Sequence, residues 1–168
     1  FSSGEQVVVT VMPDDCPGPE VTNLDTGQGF MTLAAAIAAA SDGQTLEIGP
    51  CTLEERGLEI DGLDLTLRGH GSEVSKIDGQ GQPGRLLTVT NGANVTVESV
   101  GFVRGLVDLL VAQGVVTVQE SHAVFSDCLF ADNETPDALT STLVVDSASV
   151  VVQRSLFRDC TGADITLG

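Results

Sequence analysis

Three segments of the chain align without a gap, and each ends on a phenylalanine: ANVTVESVGF (residues 93–102), SHAVFSDCLF (residues 121–130) and ASVVVQRSLF (residues 148–157). Phe102 and Phe130 are 28 residues apart, and Phe130 and Phe157 are 27 apart. A period in this range marks a stacked repeat, in which each unit buries its apolar face against its neighbours.

The repeating unit reads as strand. In register, the columns Val95/Ala123/Val150, Val97/Phe125/Val152 and Phe102/Phe130/Phe157 are apolar, while Asn94/His122/Ser149 and Glu98/Ser126/Gln153 are polar. That alternation has the period of a strand with one buried face. A further copy lies upstream, where Leu63, Leu65 and Leu67 align with Ala93, Val95 and Val97 at a spacing of 30 residues. Like residues one coil apart would sit about 4.8 Å from each other, as neighbouring strands do. The predicted fold is therefore all-β, a parallel β-helix of about five coils.

Composition agrees. The hydrophobic share of 42% supports one domain with a real core, and the aromatic share of 4% is all phenylalanine, as a narrow core of Val, Leu, Ile and Ala would give. The formal charge of −17, with Lys76 the single lysine, makes nucleic acid and anionic membrane poor partners. No apolar stretch is long enough to span a bilayer, so membrane insertion is not expected. No basic-then-apolar leader opens the chain, which reads as a mature or trimmed product.

Along the chain, residues 1–29 divide into an apolar strand at residues 7–12, carrying Val7, Val9 and Val11, and a Pro-rich irregular tether. Its three prolines, Pro13, Pro17 and Pro19, fix φ and remove donors. Residues 30–168 form the second unit. It starts with a helix at residues 30–40, with Thr32 as N-cap and Leu33, Ile37 and Ala40 on one face. An open β-helix end exposes unpaired backbone, so this helix is expected to cap it. The coils follow from Thr45, with the register disturbed near residues 69–83 and 107–114.

Four cysteines, Cys16, Cys51, Cys128 and Cys160, show no CxxC metal spacing, which favours disulfides outside the cell. Of the three connectivities, Cys16 with Cys51 and Cys128 with Cys160 is preferred, because each pair could span neighbouring coils. Asn94 and Asn133 each open a glycosylation-type triplet.

The run Thr32-Leu33-Ala34-Ala35-Ala36-Ile37, then Asp42-Gly43-Gln44-Thr45-Leu46, then Gly49-Pro50-Cys51-Thr52 resembles the opening of secreted right-handed parallel β-helix proteins of the pectate-lyase-like superfamily. FSDCLFADN (residues 125–133) also resembles the repeats of polymorphic outer-membrane and autotransported adhesin-type proteins. The likeness covers residues 30–168 and implies a right-handed coil. Cys51 stands where that family often has Tyr, which hints at a local disulfide. Enzymes of the superfamily use carboxylate-held calcium with a basic residue, or paired acids, on acidic polysaccharides. The candidates for such roles here are Asp127, Asp132 and Asp159, with Arg154 and Arg158. In register, Asp132 lies under Asp159 as a candidate calcium pair, and Asp127 lies under Arg154 as a stacked ion pair. No catalytic Asp motif of the family is matched, the coils are few and aromatics are scarce. The chain is therefore expected to be no enzyme and to need no cofactor, calcium being the one candidate ion. His70 and His122 have no partner at metal or triad spacing.

The C-terminal Ile165-Thr166-Leu167 reads as the first strand of a coil that never closes. An open coil edge templates pairing with another chain, so three explanations compete: the sequence is a fragment, another part of the same chain covers the coil, or another subunit completes it. The expected function is a secreted structural subunit that assembles head-to-tail with itself, through Val7, Val9 and Val11 of one copy against Ile165 and Leu167 of the next. The alternative is an adhesin or stalk that binds glycans, and after it a polysaccharide lyase or hydrolase.

Overall fold

The computed structural model describes residue 16 and residues 18–107, 114–135 and 140–168. The expected N-terminal strand, with Val7, Val9 and Val11, lies outside the described residues.

The repeat becomes five rungs, each of three short strands. The first is β3 (Gln44–Ile48), β4 (Thr52–Leu53) and β5 (Leu58–Asp61); it is preceded by a hairpin, β1 (Val21–Asn23) with β2 (Gly29–Phe30), and a helix, α1 (Leu33–Ala39). The second is β6 (Leu65–Arg68), β7 (Lys76–Asp78) and β8 (Leu87–Thr90), and the third is β9 (Asn94–Glu98), β10 (Gly101–Val103) and β11 (Val116–Gln119). The fourth is β12 (His122–Ser126), β13 (Leu129–Ala131) and β14 (Ser141–Asp146), and the fifth is β15 (Ser149–Gln153), β16 (Leu156–Arg158) and β17 (Ala163–Leu167).

Like strands stack in parallel into three sheets, β3-β6-β9-β12-β15, β4-β7-β10-β13-β16 and β5-β8-β11-β14-β17. The protein is thus a parallel β-solenoid with a short helix. The register follows the sequence columns: Leu65 pairs with Val95, Val95 with Ala123 and Ala123 with Val150. Likewise Phe102 pairs with Phe130 and Phe130 with Phe157. Alternate residues of each strand point into one core that runs the length of the coil. Phe102 and Phe130 stack at 5.3 Å between ring centroids and Phe130 and Phe157 at 4.6 Å, while Phe125 meets Phe102 and Phe130 edge-on.

The corners repeat as well as the strands. Ser99, Asp127 and Arg154 turn the chain from the first sheet to the second with φ between 49° and 58°. Arg104, Asp132 and Asp159 leave the second sheet, and Asn91, Glu120 and Ser147 join the third to the first, all with similar positive φ. A left-handed residue costs a non-glycine side chain roughly 1 kcal/mol. The coil bears this at these nine corners because the stacked strands on both sides determine the turn.

One end of the coil is closed. Thr32 Oγ1 accepts from Ala35 N at 3.1 Å, starting α1 as the sequence suggests, and Glu55 of the first rung accepts from the N–H groups of Leu33 and Ala34. The helix buries Leu33, Ala36 and Ile37 over the core. The hairpin was not foreseen: β1 runs antiparallel to β3, with Val21 beside Ile48, and occupies the outer edge of the first sheet. Its turn is tied by Asn23, whose side chain accepts from Asp25 N and Thr26 N and donates to Gln44 Oε1.

Two expectations need correction. Ile165 and Leu167 do not begin a sixth coil. They belong to β17, which pairs with β14 (Leu143 beside Ile165, Val145 beside Leu167) and completes the fifth rung on the third sheet. The longer loops after Phe102 and Phe130, absent after Phe157, hid that column in the sequence. The second correction concerns the cysteines. Cys16 is bonded to Cys51, with their Cα atoms 5.2 Å apart, but Cys128 and Cys160 are free thiols. Cys128 stacks on Ser155 before the strands of the second sheet, whereas Cys160 stacks on Asn133 after them. The two thiols therefore face different corners.

Candidate functional site

The outer face of the second sheet carries two columns. One is Thr52/Lys76/Gly101/Leu129/Leu156. The other includes Asp78/Val103/Ala131/Arg158. Val103, Leu129 and Ala131 form a small buried cluster separate from the main core. Above them lies a hollow of about 290 Å³, bounded by Glu54, Asp78, Arg104 and Asp132 towards one corner and by Glu73 and Lys76 on the other side. Three of the chain's seven basic residues, Lys76, Arg104 and Arg158, line it.

Each of these cations is engaged within the protein. The buried Asp78 carboxylate holds Arg104 through two nitrogens and also accepts from Gln80 N. Its carboxylate is the main cause that raises the Arg104 pKa. Glu73 lies 3.8 Å from Lys76 Nζ and 3.1 Å from Arg158 Nη1. The three cations of the hollow are thus paired within the protein, and its lining, with Glu54, Glu73, Asp78 and Asp132 against them, keeps one negative charge in excess.

The acids singled out from sequence do not converge. Asp127 is bound bidentately by Arg154 at 2.9 Å, and this hydrogen bonding, with a further one from Ser126, holds its carboxyl below the usual Asp range. Asp132 lies beneath Asp159, as the register requires, and Asp159 sits 3.8 Å from Arg158. Among the described residues no group of three His, Cys, Asp or Glu side chains comes together as a metal ion would need. His70 is 3.5 Å from Glu47, and His122 stands half-exposed in its polar column beside Asn94 and Ser149.

The thiols act as corner staples. Cys128 Sγ lies against the carbonyl oxygens of Val97 and Ser126, one on the rung below and one on its own. Ser155 one rung above bonds Phe125 and Gln153 in the same way, and Ser75 bonds Ile48 and Gly49. Burial pushes the Cys128 thiol up to about 11, so it is no nucleophile at neutral pH. Cys160 Sγ meets Phe130 O and Arg158 O. Asn133, read from sequence as a glycosylation triplet, is fully buried; its Oδ1 accepts from Gly105 N and its Nδ2 donates to Phe102 O. A sealed amide of this kind cannot carry a glycan in the folded protein, whereas Asn94 is exposed.

The other notable surface is the far end of the coil. On the fifth rung the core columns continue but nothing among the described residues lies over them. Leu143, Val145, Val150, Val152, Ile165 and Leu167 line an apolar hollow of about 400 Å³ there. Val145 is 5% exposed, while Leu167, its partner one rung on, is 77% exposed.

Comparison with family models, with curated proteins and with solved structures found no match to this chain. Its class therefore rests on its own geometry: a parallel β-solenoid with one closed end, one uncovered rung and a disulfide. No helix among the described residues is long and apolar enough to cross a membrane.

Proposed function

We propose that the protein is a non-catalytic structural subunit that works outside the cell. In this reading the uncovered fifth rung of one copy is completed by the apolar segment at residues 7–12 of the next, building a filament or layer head-to-tail. The observation that carries it is the lip of Val150, Val152, Phe157, Ile165 and Leu167, which continues columns that the second, third and fourth rungs bury. An exposed strand edge with apolar side chains beside it is a template for an added strand.

Three further observations support the polarity. The hairpin takes the outer edge of β3 and α1 covers the core, so rung-on-rung stacking has no free first sheet to meet at the closed end. A donated strand remains as the route. Cys16, four residues after the donor segment in sequence, is bonded to Cys51 on the first rung, so in this reading each contact is heterologous and repeats in one direction. Charge points to the same two places. Copies of a chain with formal charge −17 repel, but residues 149–168 carry Arg154 and Arg158 against Asp159 and Asp164, a net charge of zero, and residues 7–12 carry none. The disulfide favours an oxidising compartment.

A glycan-binding stalk is the second reading, and the charged hollow on the second sheet is what favours it; binding on a glycan array by a monomer that never polymerises would select it. Polysaccharide cleavage is a third, tested by release of unsaturated or reducing ends from acidic polysaccharides with and without calcium. For the assembly reading, the double substitution Ile165→Lys with Leu167→Lys puts two charges on the lip. It should leave a folded monomer by circular dichroism and abolish polymers in sedimentation. Polymers of unchanged length would reject the reading.

A further inference from the structure

We propose that residues 69–75, between β6 and β7, form a strap that holds the fifth rung in place through Glu73 and Arg158, and so keeps the assembly edge in register for its partner; the second half of this rests on the assembly reading above. Among the described residues the fifth rung is paired on one side only. Its side chains otherwise hydrogen-bond within the rung or to the fourth, as Arg154 does to Asp127, Ser155 to Phe125, Cys160 to Phe130 and Thr161 to Thr135. Rungs held this way open locally first. Glu73 is different. It starts on the second rung and meets Arg158 on the fifth, 85 residues away in sequence and three stacking steps, about 14 Å, along the axis.

The strap is built to make that reach. Its base is pinned by Ser75, whose hydroxyl bonds the carbonyls of Ile48 and Gly49 and accepts from His70 N. A turn closes it, with Val74 N and Ser75 N both donating to Gly71 O. It then lies flat on the second sheet, because the position it crosses is Gly101. A Cβ there would sit 2.3 Å from Ser72 O, far inside contact distance. The same column carries Thr52, Lys76, Leu129 and Leu156 on the other four rungs, so the side chain is missing at the one rung where the strap passes. At its tip Glu73 is shared by Lys76 and Arg158, which draws two of only seven basic residues to one carboxylate.

The test is hydrogen exchange on the 168-residue chain kept monomeric at low concentration. Glu73→Gln removes the ion pair at an exposed site, and Gly101→Ala lifts the strap while leaving both charges in place. Each should speed amide exchange in β15–β17 by about two- to five-fold, the effect of a pair of this exposure, and leave β9–β11 unchanged in Glu73→Gln. High salt should bring the wild-type rung to the Glu73→Gln rate. Unchanged exchange in the fifth rung of both variants overturns the strap. A loosened rung with wild-type polymer yield overturns its link to assembly, and a loosened rung with reduced yield supports both halves.

Discussion

The rings of Phe130 and Phe157 lie 4.6 Å apart and within 8° of parallel, although the two residues belong to different rungs and only Phe130 is sealed on both faces. The same stacking column therefore passes from two fully buried rings, Phe102 and Phe130, to one partly uncovered, Phe157. Phe130→Ala should cost about 3–5 kcal/mol, as large-to-small changes in closed cores do. Phe157→Ala should cost about half as much, since its outer face gains less from burial. Urea denaturation of the two variants checks the difference. Equal losses would mean that the fifth rung is covered in solution.

The disulfide from Cys16 to Cys51 closes a loop of 35 residues. By chain entropy such a loop contributes about 3–4 kcal/mol. Cys16→Ser with Cys51→Ser should lower stability by that amount while keeping the far-ultraviolet signal of the coil, because β3 and β6 pair independently of it. The two other cysteines should label as thiols. Cys160, half-buried, should react in the native protein faster than Cys128, which is sealed and whose thiol is raised to about 11.

Asp127 gives a pH signature. Its carboxyl is depressed in the folded protein by hydrogen bonding from Arg154, and then from Ser126. A depressed acid adds stability that is present above its unfolded value and is lost as pH falls through the folded one. The window therefore lies at and below the ordinary Asp range, and neutral pH is unaffected. In Arg154→Gln the Asp127 resonance should titrate higher than in wild type. An identical titration would show that the pair is not formed in solution.

Asn133→Ala removes a side chain that serves Gly105 N and Phe102 O at once, leaving buried backbone groups unpaired. The expected loss is about 2–3 kcal/mol. In a glycosylating host, mass spectrometry should find glycan at Asn94 and none at Asn133.

What the sequence revealed was set by periodicity. The three phenylalanines, the alternating columns and the helix behind Thr32 were legible because each repeats or follows a local rule. The hairpin of β1 and β2 was not, since three residues and two residues carry no period; the one available signal was Asn23 followed by Gly27 as a turn. The strap could not be read either, because Glu73 and Arg158 are joined by a fold-level approach across 85 residues. The free state of Cys128 and Cys160 does carry a signal in the sequence. In the aligned repeats Cys128 stands opposite Ser155 and Cys160 opposite Asn133, so each sulfur replaces a small polar staple in its own corner.

Deleting residues 1–12 tests the assembly account most directly, because Cys16, the hairpin and all five rungs remain. Electron micrographs of the full chain should show fibres of uniform width, and the shortened chain should stay a folded monomer that shortens those fibres when added in excess. Fibres of the same appearance from the shortened chain, or single particles from the full chain at every concentration, would contradict the account.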